Sequence, residues 1–470
     1  MCKLYYILTF LYYFTTRHTL QAFTSLSSST SASLSSTSHY SIMNSSSSSS
    51  GRGTPEKTLD LSNSDNDNDN GSNSNSNTNS DDISNSDSNS SSSSNSNTNN
   101  EKSPPILTFG VLADIQYAPI PNGYSFNGTP RYYRHALTTA SHAAQHFEKE
   151  EVCMVVNLGD IIDGKCQEID IYCKEEIEHI DTNQNTDTNI NTDTEEETKQ
   201  QQLFKYINSS NPGHDAVDDV LNALSLYKRG PMLHTYGNHE LYNLSRIDIA
   251  NKLGIPFVKE PCGDLVGYYT QKSPCNNLRF VILDSYDISV MGRCPNTSIK
   301  RKKAEALLSQ HNPNFPEVEN SPQGLDGVQK RYVAFNGAID NPQLEWLRCT
   351  LKEAKKNNEK VIILSHQPII PESSGDVCLM WNYNDVLDIL REYKDIVAAA
   401  FAGHAHKGGY RRDKESGIHF RVFEAVLESK DPVKTYAFVD YHHDRLVIRG
   451  CGDCEGATYD LDHLSFNPKL

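Results

Sequence analysis

Short runs of apolar residues recur along the chain, and each run has the length of a β-strand. They are rich in β-branched or small apolar side chains, and longer segments that mix polar and apolar positions separate them. The predicted strands cover residues 106–113, 152–158, 232–236, 280–283, 361–364 and 397–402. The predicted helices cover residues 134–149, 216–228, 342–356 and 383–393. Strands that alternate with helices indicate an α/β fold whose sheet is covered on both faces.

Two local signals add detail to this pattern. Asn341 directly precedes Pro342, so Asn341 is predicted as the N-cap of the third helix and Pro342 as part of its first turn. Residues 436–440 and 445–449 alternate apolar and polar positions on either side of a polar turn. They are predicted to form an antiparallel hairpin near the end of the fold.

Two stretches of the chain contain too few apolar residues to form a core. Residues 24–104 are dominated by Ser, Asn and Asp, and residues from about 167 to 212 form a low-complexity, acidic insert. Such segments bury too little apolar surface to offset the loss of chain entropy. We therefore expect disorder over residues 24–104 and one α/β domain over residues 105–460 that contains the insert.

The first residues have the features of a targeting sequence. Lys3 precedes an apolar run over residues 4–14, which is shorter than the about 20 residues of a membrane-spanning helix but fits the apolar part of a signal peptide. Ser and Thr dominate from Thr24 onward, as in transit peptides. Residues 1–23 are therefore predicted to be a presequence for a secretory or plastid route, without a stable membrane span. The alternative is a wrongly assigned start codon ahead of a disordered tail.

Charge and cysteine content narrow the class of protein. The formal net charge is −17, and no block of Lys and Arg interleaved with aromatic residues occurs, so a nucleic-acid partner is not expected. The 11 cysteines lack the paired spacing of a zinc site, because Cys451 and Cys454 form a lone CxxC. Disulfides among them, for example between Cys262 and Cys275, stay open.

Polar residues with metal-binding chemistry follow five of the predicted strands. The motifs are, in order, Asp114-Ile-Gln116, Gly159-Asp160-Ile-Ile-Asp163-Gly164, Gly237-Asn238-His239-Glu240, Ser365-His366 and Gly403-His404-Ala-His406. One such motif alone is compatible with a surface turn or a structural histidine, but ligands of α/β sheets bind where the strands end. Two divalent cations held close together need a bridging anion, and the carboxylate of Asp160 is the candidate. The five motifs together predict a two-metal centre.

The same residues resemble the calcineurin-like metallophosphoesterases over residues 107–449. Longer strings at residues 113–117, 131–135, 159–164, 237–243, 283–287, 320–324, 381–383 and 403–410 are similar to the manganese-dependent ADP-ribose/CDP-alcohol diphosphatases. The resemblance implies a four-layer α-β-β-α sandwich with mixed sheets. It also implies a cytoplasmic location, in contrast to the predicted presequence.

The resemblance further implies a set of metal ligands. One cation would be held by Asp114, Gln116, Asp160 and His406, and the other by Asp160, Asn238, His366 and His404. A hydroxide that bridges the two cations would attack phosphorus. His239 would stabilise or protonate the departing oxygen, while Asp163 and Glu240 would support the site through hydrogen bonds. The wider family has His at the position of Gln116, and the harder amide oxygen favours Mn²⁺, with Mg²⁺ as the second choice, over Zn²⁺.

A nucleotide diphosphate substrate needs cations for its phosphates and a flat surface for its base. Guanidinium groups bind phosphate and aromatic faces stack on bases, so the candidate substrate-binding residues are Phe126, Arg131, Tyr132, Arg134 and Cys378. Structural alternatives stay open: Tyr132 packing inward, Arg134 in an ion pair and Cys378 in the protein core.

The predicted activity is hydrolysis of the diphosphate bond of ADP-ribose and of CDP-alcohols (CDP-choline, CDP-ethanolamine and CDP-glycerol) to phosphomonoesters, by a monomeric enzyme. Protein phosphatases of the family carry Arg where this chain has Gly164. Cyclic-nucleotide phosphodiesterases stay open because they need the same metals. A non-catalytic scaffold on the same fold is disfavoured, because the chain keeps His239 and the ligand histidines.

Overall fold

Two six-stranded β-sheets form the centre of the fold, in a computed structural model that describes residues 103–173, 205–274 and 277–465. The first sheet contains, in spatial order, β16 (Ala457–Asp460), β15 (Arg445–Gly452), β14 (Thr435–Tyr441), β1 (Leu107–Leu112), β4 (Val155–Asn157) and β5 (Met232–His234). The second contains β12 (Lys407–Arg412), β13 (His419–Glu424), β11 (Val397–Ala402), β10 (Lys360–Leu364), β9 (Leu278–Ile282) and β8 (Tyr269–Lys272). Two small hairpins pair β2 (Gly123–Tyr124) with β3 (Pro130–Arg131), and β6 (Val258–Lys259) with β7 (Leu265–Val266).

The strands that carry the predicted ligands run parallel within each sheet. In the first sheet β4 pairs parallel with both β1 and β5, and in the second β10 pairs parallel with β9 and β11. Antiparallel strands flank these groups: β14 against β1, and β8 against β9. The carboxyl ends of the parallel strands therefore meet at one edge of each sheet.

Helices cover the outer faces of both sheets. They are α1 (His135–Lys149), α2 (Ile169–Tyr172), α3 (Pro212–Leu224), α4 (Asn238–Asn243), α5 (Arg246–Leu253), α6 (Ile299–His311), α7 (Asn341–Lys356) and α8 (Tyr383–Glu392). Side chains alternate across each strand. Val155 faces the core cluster that contains Phe147 of α1, whereas its neighbour Val156 faces the opposite sheet. In the second sheet Ile363 faces Leu347 of α7.

A layer of apolar side chains joins the inner faces of the two sheets. The ring of Phe109 lies edge-on to Phe280, with centroids 5.1 Å apart, and Phe401 meets Phe423 at 5.3 Å. All four rings are buried, and burying an aromatic ring contributes about 1.5–3 kcal/mol each. The predicted α/β class and the four-layer α-β-β-α sandwich are confirmed.

Local predictions are accurate to within a few residues. The predicted terminal hairpin corresponds to β14 and β15, which pair antiparallel with Val439 opposite Ile448. The predicted cap of α7 is wrong by one residue. The N-cap is Asp340, whose side chain accepts a hydrogen bond from the Asn341 backbone at 2.9 Å, so Asn341 is already the first helical residue. Aspartate and asparagine are equally good caps, and the sequence places them side by side.

Several sequence predictions fall outside the described residues. These are the presequence, nearly all of the Ser/Asn/Asp-rich segment, and residues 174–204 of the acidic insert predicted over about 167–212. On either side of that gap, Cys173 and Tyr206 are both buried in the core. Cys262 is a free thiol, so the disulfide considered with Cys275 is not formed. In the described part of the chain, no helix combines the length and apolar character needed to cross a bilayer.

Candidate metal centre

The predicted metal ligands lie together where strands of both sheets end. Asp114 and Gln116 follow β1, and Asp160 follows β4; the Asp114 backbone nitrogen donates to the Gly159 carbonyl at 3.2 Å, and that of Gln116 to the Asp160 carbonyl at 2.8 Å. The second sheet contributes its own loops, and His404 donates its backbone N–H to the Asp114 carboxylate at 2.9 Å. The two sheets are thus joined at this edge by hydrogen bonds among the ligands themselves.

Four of these residues have a left-handed backbone. The φ angles are 50° at Asp114, 43° at Gln116, 55° at Asp160 and 68° at His404. For a residue with a Cβ atom this conformation costs about 1–2 kcal/mol. The chain turns sharply at each of them, which directs the side chains toward a common centre instead of continuing the strand.

Gly237 is required by the close approach of two loops. A Cβ atom at this position would overlap the Asp160 carboxylate oxygen Oδ1 and the Asp160 backbone nitrogen. The loop that carries Asn238 therefore packs directly against the loop that carries Asp160, and only glycine leaves enough space.

We expect the substitution Gly237→Ala to displace Asp160 and, for the phosphate hydrolysis that the family resemblance implies, to lower kcat/KM by about 100-fold, the effect of a misplacement of roughly 1 Å. Steady-state kinetics at saturating metal measure this effect. Gly375→Ala is the matched control, because Gly375 borders the same cavity and a Cβ atom there meets nothing within 4 Å. An unchanged kcat/KM in Gly237→Ala would contradict the tight packing.

Asp160 stands between two groups of potential ligands. On one side, ligand atoms of Asp160, His366 and His404 all lie within 4.8 Å of one another. His366 Nε2 is 3.2 Å from Asp160 Oδ2 and 3.2 Å from His404 Nδ1. On the other side, His406 Nε2 lies 3.6 Å from Asp114 Oδ1 and 2.8 Å from the Gln116 amide nitrogen, which in turn lies 3.2 Å from Asp160 Oδ2. A single carboxylate is therefore shared by both groups.

The chemistry of this set fits divalent cations. Its side chains supply carboxylate and amide oxygens and imidazole nitrogens, which suit Mn²⁺ and related ions. Asp114, Gln116 and His366 are fully buried, yet the Gln116 oxygen Oε1 has no hydrogen-bond partner. A buried acceptor without a partner is costly, and a bound cation would satisfy it.

Burial and the close approach of charged groups also shift the pKa values of the cluster. Burial raises the pKa of Asp114 above its usual value. Burial alone would lower the pKa of His366, but the nearby Asp160 carboxylate outweighs it and raises that pKa to about 9. Burial, with the charge of Asp160, raises the pKa of Glu240 to about 8. Positive charge at the centre would relieve this crowding of carboxylates.

Each histidine predicted to bind metal is oriented by a hydrogen bond from its other ring nitrogen. His366 Nδ1 donates to the Leu158 carbonyl at 2.7 Å, and His406 Nδ1 donates to the Glu428 carboxylate at 2.9 Å. His404 Nε2 donates to the Asn336 side-chain oxygen at 2.8 Å. When each ring is neutral, its unprotonated nitrogen therefore faces the cluster, as metal binding requires. Asn238 is held by Tyr286, whose hydroxyl donates to the Asn238 oxygen at 3.1 Å.

His239 lies at the edge of the cluster in a position suited to proton chemistry. The Gly164 backbone N–H donates to His239 Nδ1 at 2.7 Å, so the proton of the neutral ring is on Nε2. Nε2 is 3.9 Å from Asp160 Oδ2, and Nδ1 is 3.5 Å from Asp163 Oδ2. The side chain is 18% exposed, in contrast to the buried ligands. Glu240 accepts hydrogen bonds from the backbone of Asp160 and Gly237, and so holds the two loops together.

A cavity of about 550 Å³ opens beside the cluster. Of the predicted substrate residues, Phe126, Arg131 and Cys378 line it, whereas Tyr132 and Arg134 do not. The Tyr132 backbone N–H donates to the Leu427 carbonyl, and the Arg134 guanidinium donates to the Pro119 carbonyl at 3.1 Å.

Three further side chains in the cavity wall were not predicted. Tyr242, Phe335 and Lys407 all line it. Lys407 directly follows the last metal motif, so its position was a usable signal. Phe335 and the neighbouring Asn336 lie in a long loop without a strand before them, where no pattern pointed to the site.

Two stacked mixed sheets with a cluster of carboxylates and histidines at their strand ends define the metallophosphoesterases. The family model described as calcineurin-like phosphoesterase matches residues 107–408, and the chain belongs to this family of hydrolases.

Relatives over most of the chain have a more specific description. A protein of Oryza sativa subsp. japonica named manganese-dependent ADP-ribose/CDP-alcohol diphosphatase is 36% identical over 347 residues, which cover 74% of this chain and 91% of the relative. A Homo sapiens protein of the same name is 33% identical over 366 residues, with coverage of 75% and 92%. The crystal structure of a dimetal phosphatase from Danio rerio superposes with a TM-score of 0.62 at 31% identity, covering 76% of this chain and 100% of that one.

Proposed function

We propose that this enzyme hydrolyses the diphosphate bond of ADP-ribose and of CDP-alcohols, with two Mn²⁺ ions as cofactors and one small nucleotide compound as substrate. The observation that carries the proposal is the shared Asp160 carboxylate between two ligand groups, beside a cavity large enough for a nucleotide. The names of the relatives support the same substrates and metal.

In this proposal the two cations occupy the two ligand groups. Asp114, Gln116, Asp160 and His406 hold one, and Asp160, Asn238, His366 and His404 hold the other. When bound, the pair neutralises charge on the phosphate oxygens and makes a coordinated water more acidic. The amide oxygen of Gln116, in place of a second imidazole at the first cation, favours Mn²⁺ or Mg²⁺ over Zn²⁺.

The protein side chains would then stabilise the departing oxygen and orient the substrate. His239 keeps a proton on Nε2, because Nδ1 accepts the Gly164 N–H, and this Nε2–H donates a hydrogen bond to the oxygen that leaves phosphorus and stabilises its negative charge. Asp163 lies beside the same ring, with its Oδ2 atom 3.5 Å from Nδ1. Breaking the P–O bond of the anhydride with water yields two phosphomonoesters.

The cavity wall supplies the two kinds of contact that a nucleotide diphosphate needs. Phe126 and Phe335 offer aromatic faces for the base, and stacking of this kind contributes about 1–3 kcal/mol. Arg131 and Lys407 provide positive charge for the phosphates.

A substrate panel tests the proposal. With Mn²⁺, we expect the purified enzyme to show kcat/KM for ADP-ribose or CDP-choline at least about tenfold above that for 4-nitrophenyl phosphate or cyclic AMP, which is the effect of about one additional good contact. Chromatography of the products should reveal two phosphomonoesters in equal amounts. Equal or reversed rates would refute the diphosphatase activity and leave a metallophosphoesterase of different specificity.

A further inference from the structure

Asn336 makes a buried contact with the metal cluster that the proposed mechanism does not yet use. The residue is fully buried, and its side-chain oxygen accepts the hydrogen bond from His404 Nε2 at 2.8 Å. Its amide nitrogen donates to two carbonyls, that of Arg331 at 2.8 Å and that of Val377 at 2.7 Å. A rotated amide would bring its oxygen against both carbonyl oxygens, so the amide has one favourable orientation.

This orientation determines the protonation of His404. Because the Asn336 oxygen can only accept, the His404 proton must be on Nε2, and the lone pair on Nδ1 faces His366 at 3.2 Å. Without that acceptor, the ring is free to carry its proton on Nδ1, where it would point into the cluster and block a cation.

The same amide connects this ligand to the wall of the cavity. Asn336 follows Phe335, whose ring centroid is 5.6 Å from that of His404, and Val377 precedes Cys378. Phe335 and Cys378 both line the cavity. Any displacement of the wall would therefore be transmitted to the imidazole through one side chain.

We propose that Asn336 is a positioning residue for the metal ligand His404, and that it links the wall receiving the nucleotide base to one of the two cation positions. The inference rests on the proposed two-metal centre and deepens it. It predicts that Asn336 affects the binding of one cation more than the other, because it contacts His404 and no ligand on the Asp114 side.

Another buried asparagine provides a matched control. The amide nitrogen of Asn312 also makes two hydrogen bonds within the segment between α6 and α7. It donates to the Ser321 carbonyl at 3.2 Å and to the Tyr332 carbonyl at 2.7 Å. No metal ligand is among its hydrogen-bond partners in the described part of the chain. A purely structural role for Asn336 would make the two asparagines equivalent.

The test is a Mn²⁺ titration of the full-length protein without substrate, in which electron paramagnetic resonance measures the concentration of free Mn²⁺ at each point. For Asn336→Ala we expect one of the two binding steps to weaken by about 10–100-fold, the effect typical of a residue that orients a metal ligand, with the other step unchanged. Asn312→Ala should lower the unfolding temperature and leave both steps intact. Turnover of Asn336→Ala should recover at high Mn²⁺.

A second variant keeps the inference testable if Asn336→Ala does not fold. Asn336→Asp retains an acceptor for His404 but loses the two bonds to carbonyls. We expect Asn336→Asp to be less stable than the parent. At the binding step that Asn336→Ala weakens, it should bind Mn²⁺ more tightly than a variant without an acceptor for His404, such as Asn336→Leu. Two unchanged steps in Asn336→Ala, or equal Mn²⁺ binding by the Asp and Leu variants, would overturn the inference. Fewer than two Mn²⁺ sites in the parent would instead refute the proposed two-metal centre.

Discussion

Replacement of Asp160 by asparagine is expected to lower kcat by on the order of 1000-fold or more, the largest effect of any single substitution in this enzyme. Asp160 is the carboxylate that both ligand groups share. Its Oδ2 lies 3.2 Å from both His366 Nε2 and the Gln116 amide, and its Oδ1 accepts the His239 backbone N–H at 2.8 Å. Loss of its charge would therefore weaken both cation positions at once.

The asparagine variant isolates charge from shape, because the two side chains have nearly the same volume. We expect Mn²⁺ titration to show weakened binding at both sites, with a circular dichroism spectrum like that of the parent. Asp453→Asn removes an exposed carboxylate outside the site and serves as the control. If Asp160→Asn kept both Mn²⁺ ions and most of its turnover, Asp160 would not be the bridging ligand.

The substitution His239→Ala is expected to lower kcat by about 100- to 1000-fold, the range for loss of one hydrogen-bond donor to a developing negative charge, without weakening metal binding. His239 is held by the Gly164 N–H on one nitrogen and by proximity to Asp163, and its other nitrogen is free to donate. It is not among the residues whose ligand atoms converge around Asp160. Chemistry and metal binding should therefore separate in this variant.

The choice of leaving group provides a sharper test of this role. A substrate that releases 4-nitrophenolate needs little stabilisation of the departing oxygen, so the loss in His239→Ala should shrink by at least about tenfold for such an ester. His214→Ala is the control, since this partly exposed histidine of α3 does not line the cavity. Equal losses for good and poor leaving groups would assign His239 to substrate binding instead of stabilisation of the departing oxygen.

The sequence predicted the parts of the fold that are strongly patterned. The central strands β1, β10 and β11 are continuous apolar runs, because both of their faces are buried, and they were identified within one or two residues. In contrast, β12 is the polar edge segment Lys407–Arg412, and β13 contains the buried Arg421 within His419–Glu424. The burial of side chains in β12 and β13 depends on contacts with residues far away in the sequence. The local order of polar and apolar residues therefore does not predict these strands.

The candidate site divides in the same way. The predicted metal ligands stand directly after patterned strands, and the structure brings them together at the sheet edges. The residues that orient them were only partly foreseen: Glu240 belongs to a motif and Tyr286 to the string at residues 283–287, but Asn336 and Glu428 lie outside every string and reach the cluster by tertiary packing alone. Asparagine and glutamate in a loop are too common to signal such a role without coordinates.

The left-handed backbone at Gln116 and His404 has a consequence for how this enzyme can change. Glycine would fit both turns with less resistance, yet glycine offers no ligand atom. Selection or engineering for thermal stability alone would therefore favour glycine at these positions, and the resulting protein would be more stable but inactive. Stability and activity therefore impose opposite requirements at Gln116 and His404. A more thermostable variant of this enzyme has to gain its stability from other positions in the chain.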